Sequence, residues 1–385
     1  MKVLCAGGGS GGHVTPVLAV INELKRLDPS LEAAFVCDRA FESQSRGLMN
    51  HATVSVPVHV IHAGKLRRYY GVPLWKQLLD IPTVLKNIRD VFLIGIGFVE
   101  SLWLLARSKP DVVFAKGGYV CLPLGYAARA LGIPLVIHDS DTRPGLTNRQ
   151  LGRFANAIAT GSPLDNYDYP EDRSVYTGVP IDKAFHPFTR EEQQKAKHVL
   201  GFTDLKKPLV VFVGGGLGAE SINSGVLTSA QRLLNRGFLL YHVTGKKHYS
   251  AVKSSAVKHA EYMVVDFVYK DMVTVLGAAD IVVSRGSATF LQELAALGKP
   301  TIIVPASHLG DQVKNARVYE EASAAVVLDD ASVQEGDALL QAITELWREE
   351  STRQAMAKRF RTFAKDDAAT VVAELVLKAG KGRTH

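Results

Sequence analysis

Glycines set directly behind a buried-type strand constrain this chain more than any other feature. VLCAGGGSGGHVTP at residues 3–16 has this form, and VFVGGGLGA at 211–219 repeats it. An apolar run without polar alternation reads as a strand covered on both faces. Glycine lets the backbone turn tightly out of such a strand and lets main-chain amides approach a ligand. These loops lead into helical patterns at 17–27 and 222–235, DVVFAKGG leads to one at 122–131, and DIVVSRGS to one at 289–297. Further strands are predicted at 135–138, 157–160, 239–244, 301–304 and 325–328. Strands alternating with helices require parallel sheets with helices on both faces, so the predicted class is α/β.

The glycine turn recurs about half a chain apart, which suggests two Rossmann-like halves. A chain of 385 residues is long enough for each to bury its own core. The expected boundaries are a first half at 1–165, a linker rich in Pro, Tyr and charge at 166–190, and a second half at 191–359, with a terminal helix near 360–385 packing back on the first half. Apolar residues make up 47% and charged ones 22%, which excludes a disordered or fibrous chain. The apolar run at 3–6 is too short for a signal peptide, so a cytosolic protein is expected. Cys5, Cys37 and Cys121 lie in apolar surroundings without metal or redox spacing and read as buried hydrophobes. A net charge of +7 favours polyanionic partners without choosing among nucleic acid, anionic lipid and phosphorylated substrates.

One segment breaks the rhythm. GKLRRYYGVPLWKQLLDIPTVLKNIRDVFLIGIGFVESLWLLARSK, residues 64–109, has a cationic, aromatic start and a nearly unbroken apolar run at 91–106. Glu100 interrupts that run, which is shorter than the ~20 residues needed to cross a bilayer. Two readings stay open, a helix buried against the sheet and a surface that touches lipid.

Gly7, Gly9 and Gly12 fit the G-x-G-x-x-G loop of a dinucleotide enzyme, and Asp38, ending the second strand, could bind a ribose. The imidazole of His13 suggests instead a site that deprotonates a hydroxyl beside a diphosphate, or simply a helix start. In the second loop, amides from Gly215 to Ala219 could hold a departing diphosphate. Gly117, Gly118 and Tyr119 follow a strand, and in LTNR Thr147 and Asn148 could cap a helix or contact a ligand. In SRGSATFLQEL, Glu293 falls on the second turn of a helix, where it could chelate ribose hydroxyls or be solvated surface. His308 and Gln312 occupy the loop that follows.

Taken in order, GSGGHVTP, PDVVFAKGGYVCLPLGYAARALGIPLVIH, PGLTNR, TGVP, GGGLGA, DFVYKDM, SRGSATFLQEL, GKPTIIVP and QVKNAR resemble the MurG family. These bacterial transferases add N-acetylglucosamine (GlcNAc) from UDP-GlcNAc to undecaprenyl-diphosphate-linked MurNAc-pentapeptide, converting lipid I to lipid II in peptidoglycan synthesis. The resemblance implies a GT-B fold, two Rossmann-like domains with parallel sheets facing a cleft, and an inverting displacement without metal or other cofactor. It implies an acceptor site at Ser10, Gly11, Gly12, His13, Gly118, Tyr119 and Asn148. It implies donor contacts from Gly215, Gly216, Leu217, Gly218, Ala219, Val268, Arg285, Glu293, Gln312 and Asn315.

The chain departs from the family pattern at several positions. Asp139 stands for the usual glutamate and Asp141 for the usual asparagine. Gly216 and Leu217 replace a polar pair, Asp182 replaces an arginine, and the loop from His308 to Gln312 is short. His13, Asp139 and Asp141 are therefore all candidate bases for the acceptor hydroxyl. Expected partners are UDP-GlcNAc, the lipid-linked acceptor and an anionic membrane surface met by Lys65, Arg67, Arg68 and the 91–106 segment, with no nucleic acid. The expected location is the cytoplasmic face of the membrane, peripherally bound. The rival readings are a transferase acting on another lipid such as diacylglycerol, a non-catalytic UDP-sugar-binding protein and an NAD-dependent oxidoreductase.

Overall fold

Val3, Leu4, Cys5 and Ala6 are all buried, as a strand without polar alternation must be when helices cover both faces of its sheet. They belong to β1 (Lys2–Ala6), followed by β2 (Glu32–Asp38), β3 (Val58–Ile61), β4 (Val112–Ala115), β5 (Leu135–Asp139), β6 (Ala157–Thr160) and β7 (Ser174–Tyr176). All pair in parallel in the order β3-β2-β1-β4-β5-β6-β7. The computed structural model describes residues 1–8, 11–66, 79–215, 218–268, 271–335 and 337–382, with the backbone alone at 11–13 and 335.

A second parallel sheet contains β8 (Leu209–Val213), β9 (Leu239–Val243), β10 (Tyr262–Val265), β11 (Ile281–Ser284), β12 (Thr301–Ile303) and β13 (Val326–Val327). Its order is β10-β9-β8-β11-β12-β13, the arrangement of the first sheet repeated. The chain divides into two compact units, residues 1–182 with 365–385, and residues 183–364. In the first unit Val17, Ile21 and Leu24 of the helix Gly11–Leu27 pack in one cluster with Val372, Ala373 and Val376 of the helix Ala368–Lys381. Each fully buried valine there contributes roughly 1.5–3 kcal/mol of transfer free energy.

The predicted strands end within a residue or so of the observed ones. The strands without a prediction are β3, β7 and β10, and each lies at the edge of its sheet. Edge strands are only partly covered, so their apolar runs are weaker: Val58, His59 and Val60 of β3 are all half-buried. The first helix begins at Gly11 rather than at residue 17, with Pro16 inside it. Pro16, the sixth residue of the helix, forfeits an i→i−4 hydrogen bond, and the buried stripe through Val17, Val20, Ile21 and Leu24 holds the helix together.

The apolar segment is the helix Ile81–Ser108, whose start is capped by Asp80 accepting from the Thr83 N–H at 3.3 Å. Its inner face buries the small and polar residues Thr83, Asp90, Gly97 and Ser101, and Leu104 and Leu105 join the core near its end. Gly97 permits this approach, because a Cβ there would fall 1.8 Å from the His62 carbonyl oxygen. The outer face exposes Ile81, Leu85, Ile88, Phe92, Ile96, Val99 and Trp103. Of the two readings left open by the sequence, burial against the sheet does not hold for this face. No described helix is long and apolar enough to cross a membrane.

Candidate functional site

In an open parallel sheet, ligands bind beyond the C-terminal strand ends where the order reverses. In the first sheet that point lies between β1 and β4. Gly7 and Gly8 leave β1, and Lys116, Gly117 and Gly118 leave β4. The two turns touch, since a Cβ on Gly118 would lie 2.0 Å from the Gly8 carbonyl oxygen. Gly117 and Gly118 have φ of 102° and 85°, a conformation that glycine adopts at no steric cost. The helix Gly11–Leu27 starts beside them, bringing its N-terminal partial charge to this edge.

Polar side chains close around this edge. Tyr119 donates its hydroxyl to Asp38 Oδ2 at 2.8 Å, and Asp38 Oδ2 also accepts the Ala40 N–H at 3.3 Å. Asn148 presses against Gly117 and donates from Nδ2 to the His138 carbonyl at 3.0 Å. It is not a helix cap, because Gly145 occupies that position. Among the described residues, Asp38 Oδ1 and Asn148 Oδ1 are buried without a hydrogen-bond partner. Buried oxygens of this kind are rare in native proteins and suit a polar ligand.

At the end of β5, His138 Nε2 pairs with the Gly178 carbonyl oxygen at 2.9 Å. Asp139 Oδ2 accepts from the Gly145 N–H at 3.2 Å and from the Tyr169 hydroxyl at 2.8 Å. Burial, and then the neighbouring Asp141 charge, push the Asp139 carboxyl up to about 7. Asp141 is half-buried, and its carbonyl accepts the Tyr167 hydroxyl. Lys116, which no motif had singled out, is fully buried and bonds Ser140 Oγ. Its one signal in the sequence is a charge ending an otherwise apolar strand, VVFAK. Ser10 lies outside the described residues, and only the backbone is described for Gly11, Gly12 and His13, where the helix begins.

The second sheet repeats the arrangement between β8 and β11. Gly214 turns so closely that a Cβ would meet the Ala219 nitrogen at 2.3 Å, and one on Gly218 would meet the Thr244 carbonyl oxygen at 2.3 Å. Among the described residues Gly215, with φ of 82°, has nothing within 4 Å of its Cβ position. The helix Glu220–Asn235 follows Ala219. Gly216 and Leu217 lie outside the described residues.

Beyond β11, Glu293 is buried on the helix Ala288–Leu297. Asn315 donates to the Gly286 carbonyl at 3.0 Å, and Gln312 Oε1 accepts the Ala306 N–H at 3.1 Å. Both amides thus brace the turns after β11 and β12. Val268 packs on the core beneath. The Arg285 guanidinium bonds Asp330 Oδ1 at 2.5 Å, the Val304 carbonyl at 3.0 Å and Ser221 Oγ at 3.1 Å. Against its partial burial, the hydrogen bond from Ser221 and then the Arg285 guanidinium hold the Asp330 carboxyl below its ordinary range. The motif in the sequence did not reveal Asp330 because it lies on another helix, Asp330–Glu335.

Residues 3–160 match the glycosyltransferase family 28 N-terminal domain, and residues 209–372 match the family 28 C-terminal domain. UDP-N-acetylglucosamine--N-acetylmuramyl-(pentapeptide) pyrophosphoryl-undecaprenol N-acetylglucosamine transferase of Listeria monocytogenes serotype 4b is 32% identical over 99% of this chain and 100% of its own. The chain belongs to the MurG family. The protein of the same name from Legionella pneumophila strain Paris is 34% identical, over 90% of this chain and 89% of its own. The crystal structure of Acinetobacter baumannii MurG superposes with a TM-score of 0.69 at 23% identity, covering 98% of this chain and 99% of that one, and agrees in fold. Membership removes the oxidoreductase reading of the opening loop, and Asp38 is engaged with Tyr119 instead. The MurG-pattern departures at Asp139 and Asp141 both fall at the end of β5, beside Lys116, and Asp182 ends the first stretch of the N-terminal unit. Among the described residues no group of three or more His, Cys, Asp or Glu is placed to hold a metal ion.

Proposed function

We propose that the protein transfers GlcNAc from UDP-GlcNAc to the C4 hydroxyl of MurNAc in undecaprenyl-diphosphate-linked MurNAc-pentapeptide, inverting the anomeric carbon in one displacement without a metal. The observation that carries this reading is the end-to-end match to the Listeria transferase. The N-terminal unit takes the acceptor, with Ser10, Gly11, Gly12, His13, Gly118, Tyr119 and Asn148 around its diphosphate and sugar. The buried, unpartnered oxygens of Asp38 and Asn148 support a ligand rich in hydroxyl and amide donors at this edge. The C-terminal unit takes the donor, with Glu293 on the ribose, Val268 near the uracil and Gln312 and Asn315 near the sugar.

The departing UDP carries the negative charge that forms as the glycosidic bond breaks. Amides of the 215–219 loop and the N-terminus of the helix Glu220–Asn235 are suited to stabilise it without a cation. His13, Asp139 and Asp141 are the candidate bases, and a positioned base contributes ~10²- to 10⁴-fold. The exposed stripe of the helix Ile81–Ser108, bordered by exposed Lys65, Lys86, Arg89 and Lys109, supports peripheral attachment to the anionic cytoplasmic face of the membrane. Arg67 and Arg68 lie outside the described residues.

UDP release from UDP-GlcNAc tests the reading. Release in EDTA with the undecaprenyl-linked acceptor, and none with diacylglycerol or with UDP-glucose as donor, is expected. Release only with added metal or only with diacylglycerol contradicts it.

A further inference from the structure

A lysine that is 1% exposed at the end of a strand needs a partner, because an uncompensated buried ammonium costs several kcal/mol. Lys116 finds Ser140, the residue between the two aspartates that follow β5. Burial is the largest influence on it and lowers its pKa to about 8, opposed by the charges of Asp141 and then Asp139. One ammonium thus faces two carboxylates, and like charges at such a site hold a proton between them.

The two carboxylates are not equivalent. Asp139 is 3% exposed, so burial disfavours its charge, although its side chain takes hydrogen bonds from Gly145 and Tyr169 on Oδ2 and a further one from the Asn148 side chain. Asp141 retains contact with solvent at the strand-end edge. The other titratable groups that act on these residues are Cys121, Tyr167 and Tyr169. Burial pushes the Cys121 thiol up to about 12 and the Tyr167 and Tyr169 phenols well above their ordinary range, and Arg149 acts on the Tyr169 side.

We propose that Lys116 is a positioning residue of the transfer reaction: held by Ser140, its ammonium keeps Asp141 a carboxylate at the acceptor end while the proton of the pair stays on Asp139. This rests on the acceptor role given above to the N-terminal unit. Asp141 then takes the proton as the O–H bond of the acceptor hydroxyl breaks. The oxygen forms its bond to the anomeric carbon, and the bond from that carbon to the UDP phosphate oxygen breaks with its electron pair leaving on UDP.

The test is the pH dependence of kcat for UDP release with the undecaprenyl-linked acceptor, compared between wild type, Lys116→Gln and Ser140→Ala. Glutamine keeps a hydrogen-bonding group toward Ser140 and removes the charge. Loss of a cation raises a carboxylate pKa, so the acid limb of Lys116→Gln moves to higher pH by about 1–3 units, with the KM for UDP-GlcNAc unchanged and the rate recovering in alkali. Ser140→Ala, which keeps the charge, moves it less. An active wild type whose acid limb does not move in Lys116→Gln overturns the inference alone. A wild type that releases no UDP overturns the transferase reading and the inference with it. Should melting show that Lys116→Gln is unfolded, Asp141→Asn decides, because a folded Asp141→Asn with wild-type kcat overturns the inference.

Discussion

At the scale of single residues, the two glycine turns look alike in sequence and differ in what surrounds them. Gly118 and Gly215 both have positive φ, yet a Cβ on Gly118 would strike the Gly8 carbonyl whereas one on Gly215 would meet no described residue. Gly118→Ala is therefore expected to destabilise the protein by about 1–3 kcal/mol, through strain and displacement of the β1 turn. Gly215→Ala is expected to cost about 1 kcal/mol and to raise the KM for UDP-GlcNAc, since it adds a methyl to the loop proposed to hold the donor diphosphate. Thermal unfolding and donor kinetics of the two variants check this, and equal destabilisation would contradict it. The sequence identified these glycines because their position after a strand carries the information. It did not identify Lys116, Ser140 and Tyr169 as a group around Asp139, because β4, β5 and the segment after β6 meet only in the folded sheet. Arg285 was legible as a residue at a strand end, but its partner Asp330 lies 45 positions away.

At the scale of elements, the helix Ile81–Ser108 buries Thr83, Asp90, Gly97 and Ser101, and Leu104 and Leu105 near its end, yet leaves a row of large apolar residues outside. Exposed apolar residues at 81, 85, 88, 92, 96, 99 and 103 follow steps of three and four with an average near 3.6, with Val91 beside them, so the stripe runs almost straight along the helix. A straight stripe suits a flat lipid surface. The apolar run was plain in the sequence, whereas its outward orientation depended on Gly97 and Ser101 packing inward against the His62 segment. Phe92 and Trp103 are 69% and 63% exposed, so Phe92→Asp with Trp103→Asp should leave the melting temperature nearly unchanged. The double variant should lose co-sedimentation with vesicles containing phosphatidylglycerol. Wild type that ignores both vesicle charge and salt contradicts membrane attachment through this face.

At the scale of the whole molecule, the same strand order occurs twice, each time with a glycine turn at the point where the order reverses. That repetition was legible because central strands are fully buried and announce themselves as apolar runs. The edge strands β3, β7 and β10 were not, since these short, partly covered strands lack a long buried apolar run. The repeated architecture supplies two ligand sites of one design, as a transferase with a diphosphate on both donor and acceptor requires. The most direct measurement of that chemistry is the NMR spectrum of the disaccharide formed from UDP-GlcNAc, an α-linked donor, and the undecaprenyl-linked acceptor. A GlcNAc joined through a β bond to O4 of MurNAc is the expected product; an α bond, a different linkage position or no disaccharide would contradict it.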